Sequence, residues 1–171
     1  MLVLLDGIVV LSEVRIKAVY QYNDFYQKLI VQYKDFGDEA LADVILYPFA
    51  KRIRRQYLDY TLVGIPSSYN KLQKRGFSHI KKMFSQLKLD YQEVFIKDDF
   101  DQKQQNYQQR LLIEKHIHLI EPLNLKGKIL LVDDVVTTGE TIKVCANLLK
   151  EKGYHVEALV GAISQRWCNK K

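Results

Sequence analysis

The sequence has little cysteine. Its 171 residues include only Cys145 and Cys168, which form neither a CxxC pair nor a set of metal ligands. This argues against a disulfide framework or a zinc knuckle and favours a reducing compartment, so we expect a cytoplasmic protein. Cys145 falls within an apparent helix and is expected to be a small core residue.

The sequence also lacks a long hydrophobic run. The apolar start, MLVLLDGIVV, has no preceding basic region, is interrupted by Asp6 and is too short to cross a bilayer. We therefore predict no membrane span and interpret this stretch as an edge strand or the remainder of a longer N-terminus. There is no internal repeat and no low-complexity tract.

The composition is that of a globular chain. Hydrophobic residues make up 47% and charged residues 27% of the sequence, which excludes a disordered protein and suits a single domain. The net charge of +6 favours a polyanionic ligand or partner, although solvated lysines alone produce such a charge.

Hydrophobic spacing predicts an α/β fold. The first half predicts a strand and a turn over 15–24, a helix that ends at Gly37, and a second helix that Pro48 kinks or breaks. The second half predicts a strand ending at Pro66, a loop leading into a helix over 77–87, a strand over 91–96, a strand over 129–132, a helix ending at Gly153 and a strand over 155–164. Such alternation is typical of a parallel sheet with helices on both faces.

The stretch ILLVDDVVTTGET, residues 129–141, carries most of the chemistry. Its apolar strand runs into Asp133 and Asp134, and the carboxyl ends of parallel strands are where α/β sheets bind ligands. Adjacent carboxylates repel each other and resist burial. Vicinal hydroxyls of a sugar can donate to both, and Mg²⁺ can offset their repulsion.

The loop that follows has the opposite character. Thr137 to Thr141 precede a helix whose first N–H groups point outward, and Gly139 allows close approach of the backbone. Such a loop suits a phosphate, so the pattern as a whole fits a ribose 5-phosphate. Asp and Thr also favour turns and caps, which explains each feature singly but not their combination.

This stretch resembles the phosphoribosyl pyrophosphate (PRPP) fingerprint of type I phosphoribosyltransferases. The resemblance implies a mainly parallel central sheet flanked by helices, with a small N-terminal hood. Residues 1–58 would form this hood or helical segment, packed on a core of residues 59–171 in a single compact domain. Asp133 and Asp134 would take the ribose hydroxyls and contact Mg²⁺ indirectly through the ribose. The implied PRPP site comprises Asp133, Asp134, Val135, Val136, Thr137, Thr138, Gly139, Glu140 and Thr141.

Other segments are similar to the ComF branch, which is linked to DNA uptake in natural transformation. They are YKDFGDEALA, GIPSSYNKLQKRGFSHI and a glutamine-rich loop that ends at Arg110. ComF proteins usually begin with a four-cysteine zinc module. This sequence has none, so no zinc is expected; a truncated product, an alternative start and a divergent member would each explain the difference.

Two further departures from the family patterns concern the site. The family's R-G-F-N-Q segment reads RGFSH here, over residues 75–79. Thr137 stands where purine-salvage members carry an acid near the base. This argues against hypoxanthine or guanine salvage, although orotate-type members also have threonine there.

The pyrophosphate has candidate ligands in two segments. By resemblance, Pro66, Ser67 and Ser68 form the pyrophosphate loop, and Arg75 could grip phosphate with its guanidinium or merely solvate its own helix. The segment 97–110 is expected to be a mobile surface loop that closes over PRPP. Its Lys103 and Arg110 are candidate phosphate contacts and the only catalytic candidates, although the loop could also be a plain polar connection.

Two basic clusters, KRIRRQY and KLQKR, have Tyr57 and Tyr69 nearby. Basic residues interleaved with aromatics suit a single-stranded nucleic acid, although charge runs are commonly solvated helix faces. None of the four histidines belongs to a recognisable metal site, and His79 is read as structural.

These observations predict a ComF-like protein that binds Mg²⁺·PRPP and handles incoming single-stranded DNA, with a competence helicase-type ATPase as a partner. Any catalysis would be attack on ribose C1 as pyrophosphate leaves, and no residue stands out as a general base. Two alternatives are a nucleobase salvage phosphoribosyltransferase and a PRPP-sensing regulatory module that binds nucleic acid.

Overall fold

The computed structural model describes residues 1–11, 13–98 and 116–168. The strands are β1 (Val3–Leu11), β2 (Val14–Tyr22), β3 (Tyr60–Gly64), β4 (Tyr91–Gln92), β5 (Phe95–Lys97), β6 (Ile117–Leu119), β7 (Lys128–Val136) and β8 (Val156–Ser164). The α-helices are α1 (Asp24–Asp35), α2 (Ala40–Leu46), α3 (Ala50–Gln56), α4 (Tyr69–Arg75), α5 (His79–Phe84), α6 (Glu140–Glu151) and α7 (Gln165–Cys168). A short 3₁₀ helix covers Ser85–Leu87.

The central sheet has six strands in the order β1-β2-β8-β7-β3-β4. The pairs from β2 to β4 are parallel, and only β1 is antiparallel to its neighbour. The predicted mainly parallel sheet is therefore confirmed, as is the edge strand at the N-terminal end. Strands β5 and β6 form a separate antiparallel pair.

Helices cover both faces of the sheet. Side chains alternate along β7, so Ile129 and Leu131 join one core while Leu130 and Val132 join the other. The first core contains the buried side of α6, including Cys145, which is fully buried as expected. The second contains the buried sides of α1, α2, α3 and α5.

The N-terminal segment, expected as a hood, is built into the sheet. Residues 1–58 supply β1 and β2 at one edge and the helices α1 to α3 on one face. Tyr20 on β2 donates a hydrogen bond to the Ile45 carbonyl of α2 at 2.9 Å. The predicted break at Pro48 is confirmed, because α2 ends at Leu46 and α3 begins at Ala50.

Four predicted boundaries are wrong. Strand β3 ends at Gly64, not Pro66, although the Ile65 N–H still bonds the Val132 carbonyl at 3.0 Å. Strand β7 runs on to Val136 because it stays paired with β8 as far as Ile163, so the aspartates lie within the strand. The loop after residue 68 contains helix α4, and Gly76 (φ +78°) separates it from α5, which ends at Phe84. The strand expected over 91–96 is split, because β4 pairs with β3 while β5 pairs with β6.

In the described part of the chain, no helix combines the length and the hydrophobicity that a membrane crossing requires.

Candidate functional site

The acidic pair lies near the carboxyl end of β7, between β3 and β8 in the middle of the sheet. The two residues differ in exposure: Asp134 is only 4% exposed, whereas Asp133 is partly exposed. The backbone N–H of Asp134 donates to Oδ1 of Asp133 at 2.8 Å. A hydrogen bond thus joins the two aspartates, but their side chains have different surroundings.

Asp134 is held by groups from other elements. Its Oδ2 forms an ion pair with Lys34 Nζ from α1 and lies 3.8 Å from His79 Nε2 of α5. The Tyr26 hydroxyl donates to its carbonyl oxygen at 3.0 Å. Burial acts to raise the pKa of the Asp134 carboxyl, but the Lys34 ammonium more than offsets this and holds the pKa below its usual range.

His79 is a buried, neutral histidine. Burial, assisted by the nearby Lys34 and Arg75 charges, lowers the pKa of its imidazole to about 3, with Asp134 acting in the opposite direction. Arg75 Nη1 lies 2.7 Å from His79 Nδ1. Because a guanidinium can only donate, Nδ1 must accept, and the ring proton lies on Nε2, the atom nearer Asp134.

Asp133 lies among a different set of groups. Burial, and then the charge of Asp134, raises the pKa of its carboxyl well above the usual range. Its charge acts on Tyr91 of β4, Lys97 of β5 and Cys145 of α6. The pKa of the Lys97 ammonium is lowered by burial and by Lys71, and Asp133 opposes that shift.

The loop after β7 leads into α6 through Gly139. Gly139 has φ +82°, a conformation that favours glycine, and an added Cβ would collide with the Leu11 side chain. The Thr137 carbonyl accepts hydrogen bonds from Arg166 Nε at 2.6 Å and Trp167 Nε1 at 3.0 Å. The threonine loop is therefore held by α7, a contact that the sequence analysis missed.

The remaining fingerprint residues divide between surface and core. Thr137 is exposed, whereas Thr138, Glu140 and Thr141 are partly buried. Val136 packs in the core beneath α6, and Val135 packs against the core on the other face. The assignment of these residues to PRPP binding stays a prediction.

The predicted pyrophosphate loop follows β3 at the same edge of the sheet. Pro66 and Ser67 line a pocket of about 90 Å³ with Ser78, His79 and Tyr91, among others, and Ser68 precedes α4. Arg75 has other partners in the structure, because its Nε donates to the Lys34 carbonyl at 3.0 Å. Its contact with pyrophosphate remains a prediction, and Lys103 and Arg110 lie outside the described residues.

Comparison with protein families identifies this arrangement. Residues 49–163 match the phosphoribosyl transferase domain. The chain belongs to this phosphoribosyl transferase domain family.

Two curated relatives extend the match. The chain is 28% identical over 138 residues to "Competence protein ComFC" of Streptococcus pneumoniae, covering 80% of this chain and 62% of the relative. It is 26% identical over 140 residues to the protein of the same name from Bacillus subtilis, covering 80% of this chain and 58% of the relative. The resemblance to the ComF branch is confirmed, and the chain spans about three fifths of these relatives' length.

Solved phosphoribosyltransferases resemble the chain only distantly. A Staphylococcus aureus hypoxanthine phosphoribosyltransferase matches with TM-score 0.44 and 13% identity, over 71% of this chain and 62% of that chain. An Aeropyrum pernix orotate phosphoribosyltransferase matches with TM-score 0.40 and 20% identity, over 90% of this chain and 72% of that chain. Likenesses at this distance concern the fold alone.

This family member also carries a basic surface at the amino ends of β3 and β7. The α3 residues Lys51, Arg52, Arg54 and Arg55 are all exposed. Arg54, Lys88 and Lys126 line an open cleft of about 720 Å³, together with Asp59 and Asp90. We call α3 and this cleft the amino-end surface.

The two aromatic residues predicted beside the basic clusters differ in their exposure to solvent. Tyr57 is 3% exposed and packs edge-on against Tyr60 with ring centroids 5.0 Å apart, so its expected place beside a nucleic acid is wrong. Tyr69, beside the second cluster, is 63% exposed. Tyr47 is 76% exposed and Leu58 is 62% exposed, and these apolar groups flank α3.

Across residues 1–11, 13–98 and 116–168, no three His, Cys, Asp or Glu side chains gather as a direct metal site would require.

Proposed function

We propose that this phosphoribosyl transferase domain protein binds Mg²⁺·PRPP at the carboxyl end of β7 and takes part, as a ComF-like protein, in handling incoming single-stranded DNA. One observation supports the proposed binding of Mg²⁺·PRPP. The acidic pair near the carboxyl end of β7, the threonine loop that follows it and the pocket lined by Pro66 and Ser67 after the neighbouring parallel strand β3 lie at one edge of the sheet.

The residue chemistry fits such a ligand. Asp133 offers a partly exposed carboxylate to a ribose hydroxyl, and the threonine hydroxyls and first N–H groups of α6 offer donors to the 5-phosphate. Mg²⁺ prefers oxygen ligands and keeps several waters, so oxygens of the ligand itself would supply most of its coordination. When bound, it would neutralise charge on the pyrophosphate.

A thermal-shift titration tests the PRPP half. A ligand that binds only the folded chain stabilises it and so raises its Tm. At a ligand concentration of about a hundred times Kd, the free energy of unfolding rises by about 2.7 kcal/mol. We expect Mg²⁺·PRPP to raise the Tm and an equal concentration of Mg²⁺ with inorganic pyrophosphate to raise it much less. Equal shifts would mean that pyrophosphate alone is recognised and would contradict a phosphoribosyl site.

The amino-end surface supports the nucleic-acid half. Its exposed basic residues on α3 are flanked by the exposed aromatic ring of Tyr47, and sequence-tolerant single-strand binders combine basic and aromatic groups. Along β7, Lys128 at this end and Asp133 lie roughly 16 Å apart at about 3.3 Å per residue. DNA and PRPP would therefore bind at different edges of the sheet, without direct competition.

The family match also favours a second candidate, a nucleobase salvage phosphoribosyltransferase. Pyrophosphate release from PRPP, measured with a panel of purine and pyrimidine bases, separates the two. Turnover with one base would support the salvage enzyme. PRPP binding without turnover, with a change in affinity for single-stranded DNA, would support a PRPP-sensing module.

A further inference from the structure

The adjacent aspartates of the fingerprint differ in what holds them. We propose that they have different roles: Asp133 alone faces the ribose, while Asp134 is kept inside the fold by Lys34, its positioning counter-ion. This inference rests on the proposed PRPP site. It departs from the resemblance, which assigns both carboxylates to the ribose.

Asp134 has little capacity left for a ligand. The residue is 4% exposed, and the Oδ2 atom of its carboxylate forms the ion pair with Lys34. His79 Nε2, the protonated nitrogen, lies 3.8 Å from the same carboxylate oxygen. A ribose hydroxyl would have to displace the Lys34 ammonium, leaving the buried Asp134 charge without its partner.

Lys34 is itself fixed in place. Its carbonyl oxygen accepts the Arg75 Nε–H at 3.0 Å, and Arg75 continues to His79 Nδ1 at 2.7 Å. The neighbouring Tyr33 hydroxyl donates to the His79 carbonyl at 2.6 Å. These contacts join α1, the end of α4 and the start of α5, and they hold the backbone of Lys34, whose side chain is 22% exposed, close to Asp134.

The Asp133 carboxyl, unlike that of Asp134, is accessible to a ligand. It is partly exposed, and its Oδ1 accepts a hydrogen bond from the Asp134 N–H. Its charge acts on Tyr91, which lines the pocket beside Pro66 and Ser67. Within residues 1–11, 13–98 and 116–168, no ion pair would have to break for a ligand in that region to reach Asp133.

Calorimetric titration of Mg²⁺·PRPP into a set of variants tests the division of roles. We expect Asp133→Asn to weaken binding by about tenfold or more, since it removes a carboxyl oxygen that would accept the ribose hydroxyl. Asp134→Asn should weaken it by no more than about threefold. Lys34→Met should weaken it by about fivefold, because the uncompensated Asp134 charge then repels the polyanionic ligand.

The decisive result is whether Asp134→Asn restores the PRPP affinity that Lys34→Met loses. In Lys34→Met/Asp134→Asn the unpaired charge is gone, so PRPP affinity should return to within about twofold of the Asp134→Asn value. Lys34→Arg, which keeps the charge, should bind better than Lys34→Met. Lys28→Met, at an exposed lysine of the same helix, is the matched control and should leave affinity unchanged.

The outcomes separate the two proposals. If the intact chain does not bind PRPP, the proposed function is wrong and the inference fails with it. If the intact chain binds but Asp134→Asn loses as much affinity as Asp133→Asn, or the double variant is no better than Lys34→Met, only the division of roles is contradicted. Near-UV circular dichroism of each variant shows whether a loss reflects unfolding.

Discussion

Arg166 Nε donates a hydrogen bond to the Thr137 carbonyl oxygen at 2.6 Å, and this contact joins the last described helix to the proposed phosphate loop. Trp167 Nε1 donates to the same oxygen at 3.0 Å. A carbonyl fixed by two donors sets the orientation of the peptide that follows it. The geometry of the loop therefore depends on residues far from the fingerprint in sequence.

Removing one of these donors should weaken phosphate recognition as well as the fold. Trp167→Phe deletes the indole N–H but keeps an aromatic ring in the core, so we expect a stability loss of about 1 kcal/mol. The affinity for Mg²⁺·PRPP, measured by calorimetry, should fall by about three- to tenfold. Tyr47→Phe, at an exposed aromatic just after α2, is the control; unchanged PRPP affinity in Trp167→Phe would show that the contact does not shape the loop.

Gly161 on β8 makes room for the contact between Tyr26 and Asp134. An added Cβ would lie 2.7 Å from the Asp134 carbonyl oxygen and still closer to the Tyr26 hydroxyl. We expect Gly161→Ala to lower the free energy of unfolding by about 1–3 kcal/mol in urea titrations, because the packed neighbours must move. In a Tyr26→Phe background the colliding hydroxyl is absent, so the cost of Gly161→Ala should be smaller; equal costs would contradict this account.

The stability of the chain should decrease below pH 6.5 because of His79. The pKa of this imidazole is about 3 in the folded chain and about 6.5 when unfolded, so the unfolded state binds the extra proton between these values. Its contribution is fully present above pH 6.5 and is lost as the pH falls, with a slope of up to about 1.4 kcal/mol per pH unit.

Urea titrations at pH 7, 6 and 5 measure this dependence. His79→Gln should flatten the slope, whereas His118→Gln, at an exposed histidine, should leave it unchanged. An intact chain whose stability does not change over this pH range would contradict a neutral, buried His79.

Charge reversal on α3 should weaken the binding of single-stranded DNA. Arg54→Glu places a negative charge in the amino-end surface, so the affinity for a labelled oligonucleotide, measured by fluorescence anisotropy, should fall and its salt dependence should become shallower by about one unit of slope. Lys28→Glu on α1 is the matched control. If both variants bind equally well, the DNA surface lies elsewhere; the PRPP affinity of Arg54→Glu should be unaffected.

The sequence predicted the sheet and the position of the site because their signals are local. The apolar run before Asp133, the break at Pro48 and the edge strand at the start depend on side-chain spacing and backbone chemistry, and all three are confirmed. The boundary between α4 and α5 was missed because the segment 69–75 has no buried residue to give it a helical period.

The surroundings of the acidic pair could not be predicted in the same way. Lys34 and His79 approach Asp134 from α1 and α5, and their proximity depends on how helices pack on the sheet. In the sequence Lys34 is one charge among many. A lysine beside the buried Tyr33 in the last turn of an amphipathic helix was the only available signal. Tyr57 was misassigned for the same reason, since only packing shows that its ring is buried against Tyr60.

The central claim is that Asp133 forms part of a phosphoribosyl site, and calorimetric titration of Mg²⁺·PRPP into the intact chain and into Asp133→Asn tests it most directly. We expect saturable binding by the intact chain and a loss of about tenfold or more in affinity in the variant, with both proteins equally folded. No binding by the intact chain, or equal binding by the two proteins, would contradict it.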